Sequence, residues 1–424
     1  MIKVIPVDQL RVGMFVSDEN SEWVPEKNRT KSGMIRREEV IDKLKSKGIE
    51  FITIDTTRGE DVLEVATEGN DADFGWIDPP SFGEPSKTQA VEKPEKVIAQ
   101  QEQSGVTTPS APRAVSVSDE QERAKIIHDE ALKMVDTVMN RVRSGAQIDV
   151  TEVEGVAEQL VDSVYRNQNA LACLSRIRDK DTYLMEHSLN VGVLLSILAK
   201  SMGFEKSLVR RLAVGGMLHD IGKVQVPDEV LHKPGKLEAE EWAEMKRHVT
   251  YGEAYLNGLD VSKDIRNICA QHHERLDASG YPRGLGGDKI SLYGRMAAVC
   301  DVYDAITADR VYHKGMPPPV AMKRLVEWSD GHLDRKLVYQ FIRTMSIYPV
   351  GSLVQLESGK LAFVVEPNPK HQARPLVRAI YHDKLKQFIP PEDLDLALAG
   401  TGDVIVKPVD PERLDVRIQI ADFI

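Results

Sequence analysis

The rhythm of apolar and polar positions changes three times along this chain. Over residues 1–70, short apolar runs predict strands at Ile2–Val7, Met14–Val16 and Phe51–Ile54. One stripe of helical period predicts a helix over Arg36–Lys47, stopped by Gly48. From Asp71 to Val117 no period survives, and Asp78-Pro79-Pro80, Pro85-Ser86 and Thr107-Thr108-Pro109-Ser110-Ala111-Pro112 are linker material. Helical stripes then predict helices over 118–144, 149–178, 183–202, 206–219, 238–257, 261–273, 291–308 and 317–327. Ser118-Asp119-Glu120-Gln121 reads as a capping box at the start of the first of these. Gly222, Pro227, Pro234-Gly235 and Gly280–Gly287 separate the later ones. Beyond Tyr348, strand patterns return at Leu353–Leu356, Leu361–Val365, Leu376–Tyr381 and Val404–Lys407.

The expected fold is multidomain and mainly α. It comprises an α+β module (1–70), a linker (71–117), a connecting helix (118–149), an all-α bundle (150–345) and a β-rich module (346–424). No internal repeat is visible. The helices across 118–178 carry apolar stripes that fit either a cap on the bundle or a homodimer contact, and the sequence leaves both open.

Composition narrows the classes of function. Lys plus Arg is 55 against 66 for Asp plus Glu, a net charge of -11, which disfavours a general nucleic-acid or anionic-membrane binder. A local basic pocket for a phosphorylated small molecule stays compatible with that balance. Cys173, Cys269 and Cys300 show no metal or disulfide spacing and read as small buried apolar groups in a reducing compartment. The N-terminus lacks the apolar core of a signal peptide, and the greasiest stretch, Val191–Ala199, is too short to span a bilayer. The expectation is a cytoplasmic protein without a membrane span.

Five of the eleven histidines fall into one series with two aspartates. His187, His219-Asp220, His248, His272-His273 and Asp301 are separated by 32, 29, 24 and 28 residues, each interval fitting one helix and a connection. Bundles build metal sites from inward-facing ligands on successive helices. A set of His and carboxylate without Cys suits iron, manganese, zinc, nickel or cobalt. Seven ligands exceed the needs of one ion but suit two, with Asp220 as the expected bridge. Paired ions are the usual solution for phosphate-ester hydrolysis, because they turn a bridging water into a hydroxide nucleophile and neutralise phosphoryl charge. Lys223, one turn after Asp220, would add a cation. Glu274 could orient a ligating histidine. Each element alone has a plainer reading as a core or surface residue; the joint arrangement carries the inference.

In these residues the chain resembles the HD-GYP family of metal-dependent phosphohydrolases. The matching segments are Asp181-Thr182-Tyr183-Leu184-Met185-Glu186-His187-Ser188, His219-Asp220-Ile221-Gly222-Lys223, His248, His272-His273-Glu274-Arg275-Leu276-Asp277-Ala278-Ser279-Gly280-Tyr281-Pro282 and Asp301-Val302-Tyr303-Asp304-Ala305. The resemblance covers about residues 150–345 and implies hydrolysis of cyclic di-GMP to pGpG, and in some members on to GMP. It implies metal ligation by His187, His219, Asp220, His248, His272, His273 and Asp301. It implies substrate contact by Lys223, Tyr281, Asp304 and Arg310, with Lys223 and Asp220 serving the chemistry. Arg295 is a further phosphate-binding candidate beside an equally good reading as a structural ion pair. The first 70 residues resemble an uncharacterised domain often fused ahead of HD-GYP domains. Diguanylate cyclases are candidate protein partners.

Three departures qualify the expectation. Ala278 stands where the family usually has glycine, and Arg310-Val311-Tyr312-His313 replaces Arg-Pro-Tyr followed by a basic residue. Tyr183 occupies the position of a glutamate that lets some members hold a third ion, so two ions are expected, iron or manganese foremost. The alternatives are a cyclic di-GMP receptor of weak activity and another HD-type nucleotide phosphohydrolase.

Overall fold

The computed structural model describes residues 2–7, 10, 12, 14–17, 33–35, 37, 40–41, 51–55 and 58, then 115–176, 183–308, 315–368, 370–398, 402–411 and 414. The chain divides into two compact units, Met1–Ala72 and Asp73–Ile424. Most of the expected linker and most of the expected helix 36–47 lie outside the described residues, as do Asp181, Arg310 and His313.

In the first unit, β1 (Ile2–Pro6), β2 (Phe15–Val16), β3 (Gly33–Met34) and β4 (Phe51–Asp55) form an antiparallel sheet of order β1-β4-β2-β3. Val7, Leu10, Met14, Val16, Ile35, Ile41, Ile52 and Ile54 make its core. The three expected strands are present; the two-residue β3 is too short to leave a pattern.

The second unit is mainly helical. It contains α1 (Val117–Arg143), α2 (Val150–Leu174), α3 (Tyr183–Ser201), α4 (Lys206–Leu218), α5 (Asp228–Leu231), α6 (Ala239–Lys246), α7 (His248–Asn257), α8 (Lys263–Gln271), α9 (Leu292–Thr307), α10 (Pro318–Trp328) and α11 (Arg335–Met345). α3 is buried on every side from Glu186 to Ala199, and α9 from Met296 to Ile306. The greasy run Val191–Ala199 is thus the central helix of the bundle, where an all-round apolar helix belongs. Replacing a fully buried leucine there, such as Leu195, by alanine costs roughly 2–5 kcal/mol.

Several boundaries differ from expectation for identifiable reasons. α1 is capped by Ser116, whose side chain accepts from Asp119 N at 3.1 Å, so the cap lies two residues before Ser118. Glu120 is buried and binds Arg166 and Ser163 on α2. α2 holds a kink at Asn167 (φ -157°, ψ 104°), whose side chain donates to Val115 O at 2.9 Å. The expected helix 238–257 is two helices: Arg247 N turns back to Glu244 O, and the carbonyl of Met245 is taken by the ring of His248. α11 was missing from the expected helices although it carries a clear apolar face of Leu337, Val338, Phe341 and Met345.

The same unit closes with β5 (Leu353–Leu356), β6 (Lys360–Glu366), β7 (Leu376–His382), β8 (Gln387–Asp395) and β9 (Ile405–Pro408), an antiparallel sheet of order β8-β7-β6-β5-β9. β8 contains Pro390-Pro391, which hides it from a strand search. It is tolerated because β8 is an edge strand whose other side pairs with no described strand. Arg176 Nη1 ties the helices to this module through Val350 O and Ser352 Oγ, both at 3.1 Å.

Candidate metal centre

The helix ends set the imidazoles before any metal is considered. His219 and His272 immediately follow α4 and α8, and His248 opens α7 one residue after α6. The last carbonyls of a helix lack intrahelical partners. The imidazoles use them: His219 Nδ1 donates to Gly216 O at 2.7 Å, His248 Nδ1 to Met245 O at 2.7 Å, and His272 Nδ1 to Cys269 O at 2.8 Å. Each bond holds the ring with Nε2 directed inward, the arrangement that metal sites require of their histidines. His187, inside α3, reaches the same state through a carboxylate, with Nδ1 2.7 Å from Asp304 Oδ2.

Close helix packing brings these ends together. A Cβ on Gly222 would lie 1.9 Å from His248 O, so only glycine lets the turn after Asp220 rest on α7. A Cβ on Gly216 would lie 2.6 Å from the Gly192 Cα, so glycines also let α4 approach α3. The rings of His187 and His219 consequently meet edge to face at 5.1 Å.

All seven expected ligands converge in two groups, Asp220 with His248, His272 and His273, and His187 with His219 and Asp301. Within each group the ligand atoms lie within 4.8 Å of one another. Asp220 faces both. Its Oδ1 is 3.3 Å from His248 Nε2 and 3.7 Å from His272 Nε2, while its Oδ2 is 3.3 Å from His219 Nε2 and 3.5 Å from His187 Nε2. Asp301 Oδ1 stands 3.0 Å from His187 Nε2, and Oδ2 stands 3.7 Å from His273 Nδ1.

Protonation states suit cations at four of the candidate ligands; at His187 burial is outweighed by the hydrogen bonds to Asp301 and Asp304, and the imidazole pKa is raised. Burial, with repulsion from His219, pushes the His272 pKa down to about 3, and burial also holds His273 well below the usual imidazole range. Burial pushes Asp220 upward, but Lys223 and His219 outweigh it and leave the carboxyl well below its usual range. Asp301 is likewise low, its burial outweighed by the hydrogen bond from His187. Neutral imidazoles and charged carboxylates are the ligand forms. His219 Nε2, Asp220 Oδ1, His248 Nε2, His272 Nε2 and His273 Nδ1 are buried without any hydrogen-bond partner among the described residues. Five orphaned donor atoms aimed into one space fit divalent metal ions and little else.

The surrounding residues divide in role. Lys223 is buried, with Nζ 2.6 Å from Asp220 Oδ2. Tyr281 lies over His273, ring centroids 4.6 Å apart at 27°. Asp304 is 2% exposed and sits behind His187. Tyr183 stacks on His187 at 5.9 Å. Glu274 orients no histidine; its oxygens accept from Arg283 N at 2.9 Å and Leu285 N at 2.8 Å and so tie down the Gly280–Gly287 loop. Arg295 is the structural ion pair, with Nη1 2.9 Å from Asp334 Oδ2 at the start of α11. Arg310 lies outside the described residues. Trp242 and Lys246, which sequence reading passed over, lie beside Tyr281. Their one signal was position, six and two residues before His248. Cys173, Cys269 and Cys300 are free and buried, as expected. No described helix is long and apolar enough to cross a membrane.

Comparison with known proteins agrees with the geometry. Residues 171–337 match the family described as HD domain, and residues 2–153 match Domain of unknown function (DUF3391). A cyclic di-GMP phosphodiesterase of Pseudomonas aeruginosa is 35% identical over 410 residues, 96% of this chain and 92% of that one. A 3'3'-cGAMP-specific phosphodiesterase of Vibrio cholerae is 38% identical over 180 residues, 41% of this chain and 33% of its own length. Among solved structures, an HDG"Y"P protein from Bdellovibrio bacteriovorus aligns with a TM-score of 0.45 at 18% identity, covering 80% of this chain and 98% of that one. The nearly end-to-end match with the Pseudomonas protein, and an HD-domain match that includes every ligand of the centre, mean that this chain belongs to the HD-GYP family of HD-domain proteins.

Proposed function

We propose that this protein is a metal-dependent phosphodiesterase that hydrolyses cyclic di-GMP to pGpG, with further cleavage to GMP where the linear product can rebind. The observation that carries the reading is Asp220, whose two oxygens face two separate groups of buried ligands. The extended likeness to a protein named for this activity supports the choice of substrate.

In this reading His187, His219 and Asp301 would hold one ion and His248, His272 and His273 the other, with Asp220 available to both groups. Two ions, iron or manganese, would supply an activated water and offset charge on the phosphoryl oxygens. Tyr183, at the position of the third-metal glutamate, argues against a third. Lys223 neutralises charge that develops on the phosphate as the bond breaks. Asp304 acts through His187, holding its ring in the tautomer that leaves Nε2 free. Tyr281 borders the substrate, and Arg310 is retained as a further contact. The three free, buried thiols support a reducing, cytoplasmic site of action.

The test is product analysis after anaerobic reconstitution with defined metals, offering cyclic di-GMP, 3'3'-cGAMP and simple nucleoside phosphates. Release of pGpG from cyclic di-GMP by the wild type, and its loss in the H219A/D220A double variant, is the expected result. Undiminished turnover in that variant would overturn the site. Tight binding of cyclic di-GMP with no turnover under any metal would establish the receptor alternative instead. Three ions per chain on metal analysis would overturn the two-ion assignment.

A further inference from the structure

We infer that Lys246, held against the rings of Trp242 and Tyr281, is a substrate-binding cation that recognises the phosphate of the cyclic dinucleotide not undergoing cleavage. This inference rests on the reading of the centre as a cyclic dinucleotide phosphodiesterase and deepens it.

The centre is least buried at His273, Asp301 and Lys223. His219 and His272 are 0% exposed and His248 and Asp220 1%, whereas His273 and Asp301 are 5% and Lys223 is 7%. Tyr281 lies on His273. Trp242 meets Tyr281 edge to face at 6.3 Å, and Lys246 Nζ lies 5.8 Å from the Tyr281 centroid and 5.9 Å from that of Trp242. Lys246 is half-buried, and no carboxylate pairs with it among the described residues. The neighbouring acids are committed elsewhere: Glu241 to Lys233, Glu244 to Arg247 and Tyr251, and Glu253 to Arg283. An ammonium kept beside two ring faces without a counter-ion retains its attraction for an incoming anion.

Lys223, bound to Asp220 at 2.6 Å and assigned to the phosphate that is cleaved, leaves the second phosphate to another cation. A cyclic dinucleotide carries two phosphates. When one is at the ligand groups, the other needs a cation at the rim, while a simple phosphodiester presents no second phosphate. Lys246 therefore serves selectivity for the dinucleotide, and the adjacent aromatic faces suit its bases.

The experiment compares wild type with K246M and K246R, all full-length and metal-loaded, on cyclic di-GMP and on bis(p-nitrophenyl) phosphate. For K246M the ratio of kcat/KM for cyclic di-GMP to that for the simple diester should fall by about tenfold, the loss residing in KM, as expected for one charge-assisted contact. Calorimetric titration of cyclic di-GMP should show a matching rise in Kd, and K246R should restore most of both. An unchanged ratio with wild-type binding would overturn the inference. So would a parallel loss on both substrates without rescue by K246R, which would mark Lys246 as structural. A wild type that cleaves the simple diester but neither cleaves nor binds cyclic di-GMP would instead overturn the substrate reading, and this inference with it.

Discussion

Lys223 Nζ and Asp220 Oδ2 lie 2.6 Å apart, and that same oxygen faces His187 and His219. The lysine keeps Asp220 charged but also lends no ligand of its own. Replacing it by methionine therefore separates metal retention from turnover. K223M should keep its metal content on elemental analysis while kcat falls about 10²-fold, the size typical of a lost charge-stabilising group. D220A should lose both. Loss of metal from K223M to the level of D220A would refute this division.

Asp304 Oδ2 holds Nδ1 of His187, so its substitution should be felt in metal affinity. In D304N the His187 ring loses its anionic anchor, and metal titration should show roughly 10–100-fold weaker binding of one ion. Equal weakening of both ions would indicate a wider collapse.

Ala278 adopts φ +65°, a left-handed conformation that costs a residue with a Cβ about 1 kcal/mol. A278G should raise the urea midpoint of the second unit, partly offset by the greater freedom of glycine in the unfolded chain. A lower midpoint in A278G would show that the methyl group contributes packing that outweighs the strain.

Glu120 is 1% exposed and receives Arg166 Nη2 at 2.7 Å, Arg166 Nε at 2.8 Å and Ser163 Oγ at 2.8 Å. Burial raises its pKa, but the hydrogen bonds from Arg166 and Ser163 outweigh it and the net shift is downward. A carboxyl lowered on folding stabilises above its unfolded pKa, about 4.3, and loses that contribution as pH falls through the folded value. E120Q should thus destabilise by about 3 kcal/mol at neutral pH, because it leaves Arg166 without its charge partner. The difference in thermal midpoint between wild type and E120Q should shrink below about pH 4, where glutamic acid and glutamine become near-isosteres. A difference independent of pH would exclude the ion pair as its source.

Much of the fold was legible because helical stripes are local. α3, α4, α9 and α10 fall within one or two residues of the positions their patterns indicate. Misses occurred where a long-range contact replaced a local rule. Asn167 leaves helical geometry to bind the chain at Val115. Pro390-Pro391 lies in a strand because one edge of that strand has no neighbour among the described residues.

The seven candidate ligands and their order were legible in the sequence, since intervals of one helix plus a connection recur between them and no other histidine joins the series. Only the tertiary structure decided how they divide. It placed Asp220 between two groups, Asp304 behind His187, Glu274 under the loop and Lys246 beside two rings. The physical reason is that spacing along a helix sets where a side chain starts. Which distant side chain it meets depends on how closely helices pack, and here that closeness is governed by glycines such as Gly216 and Gly222.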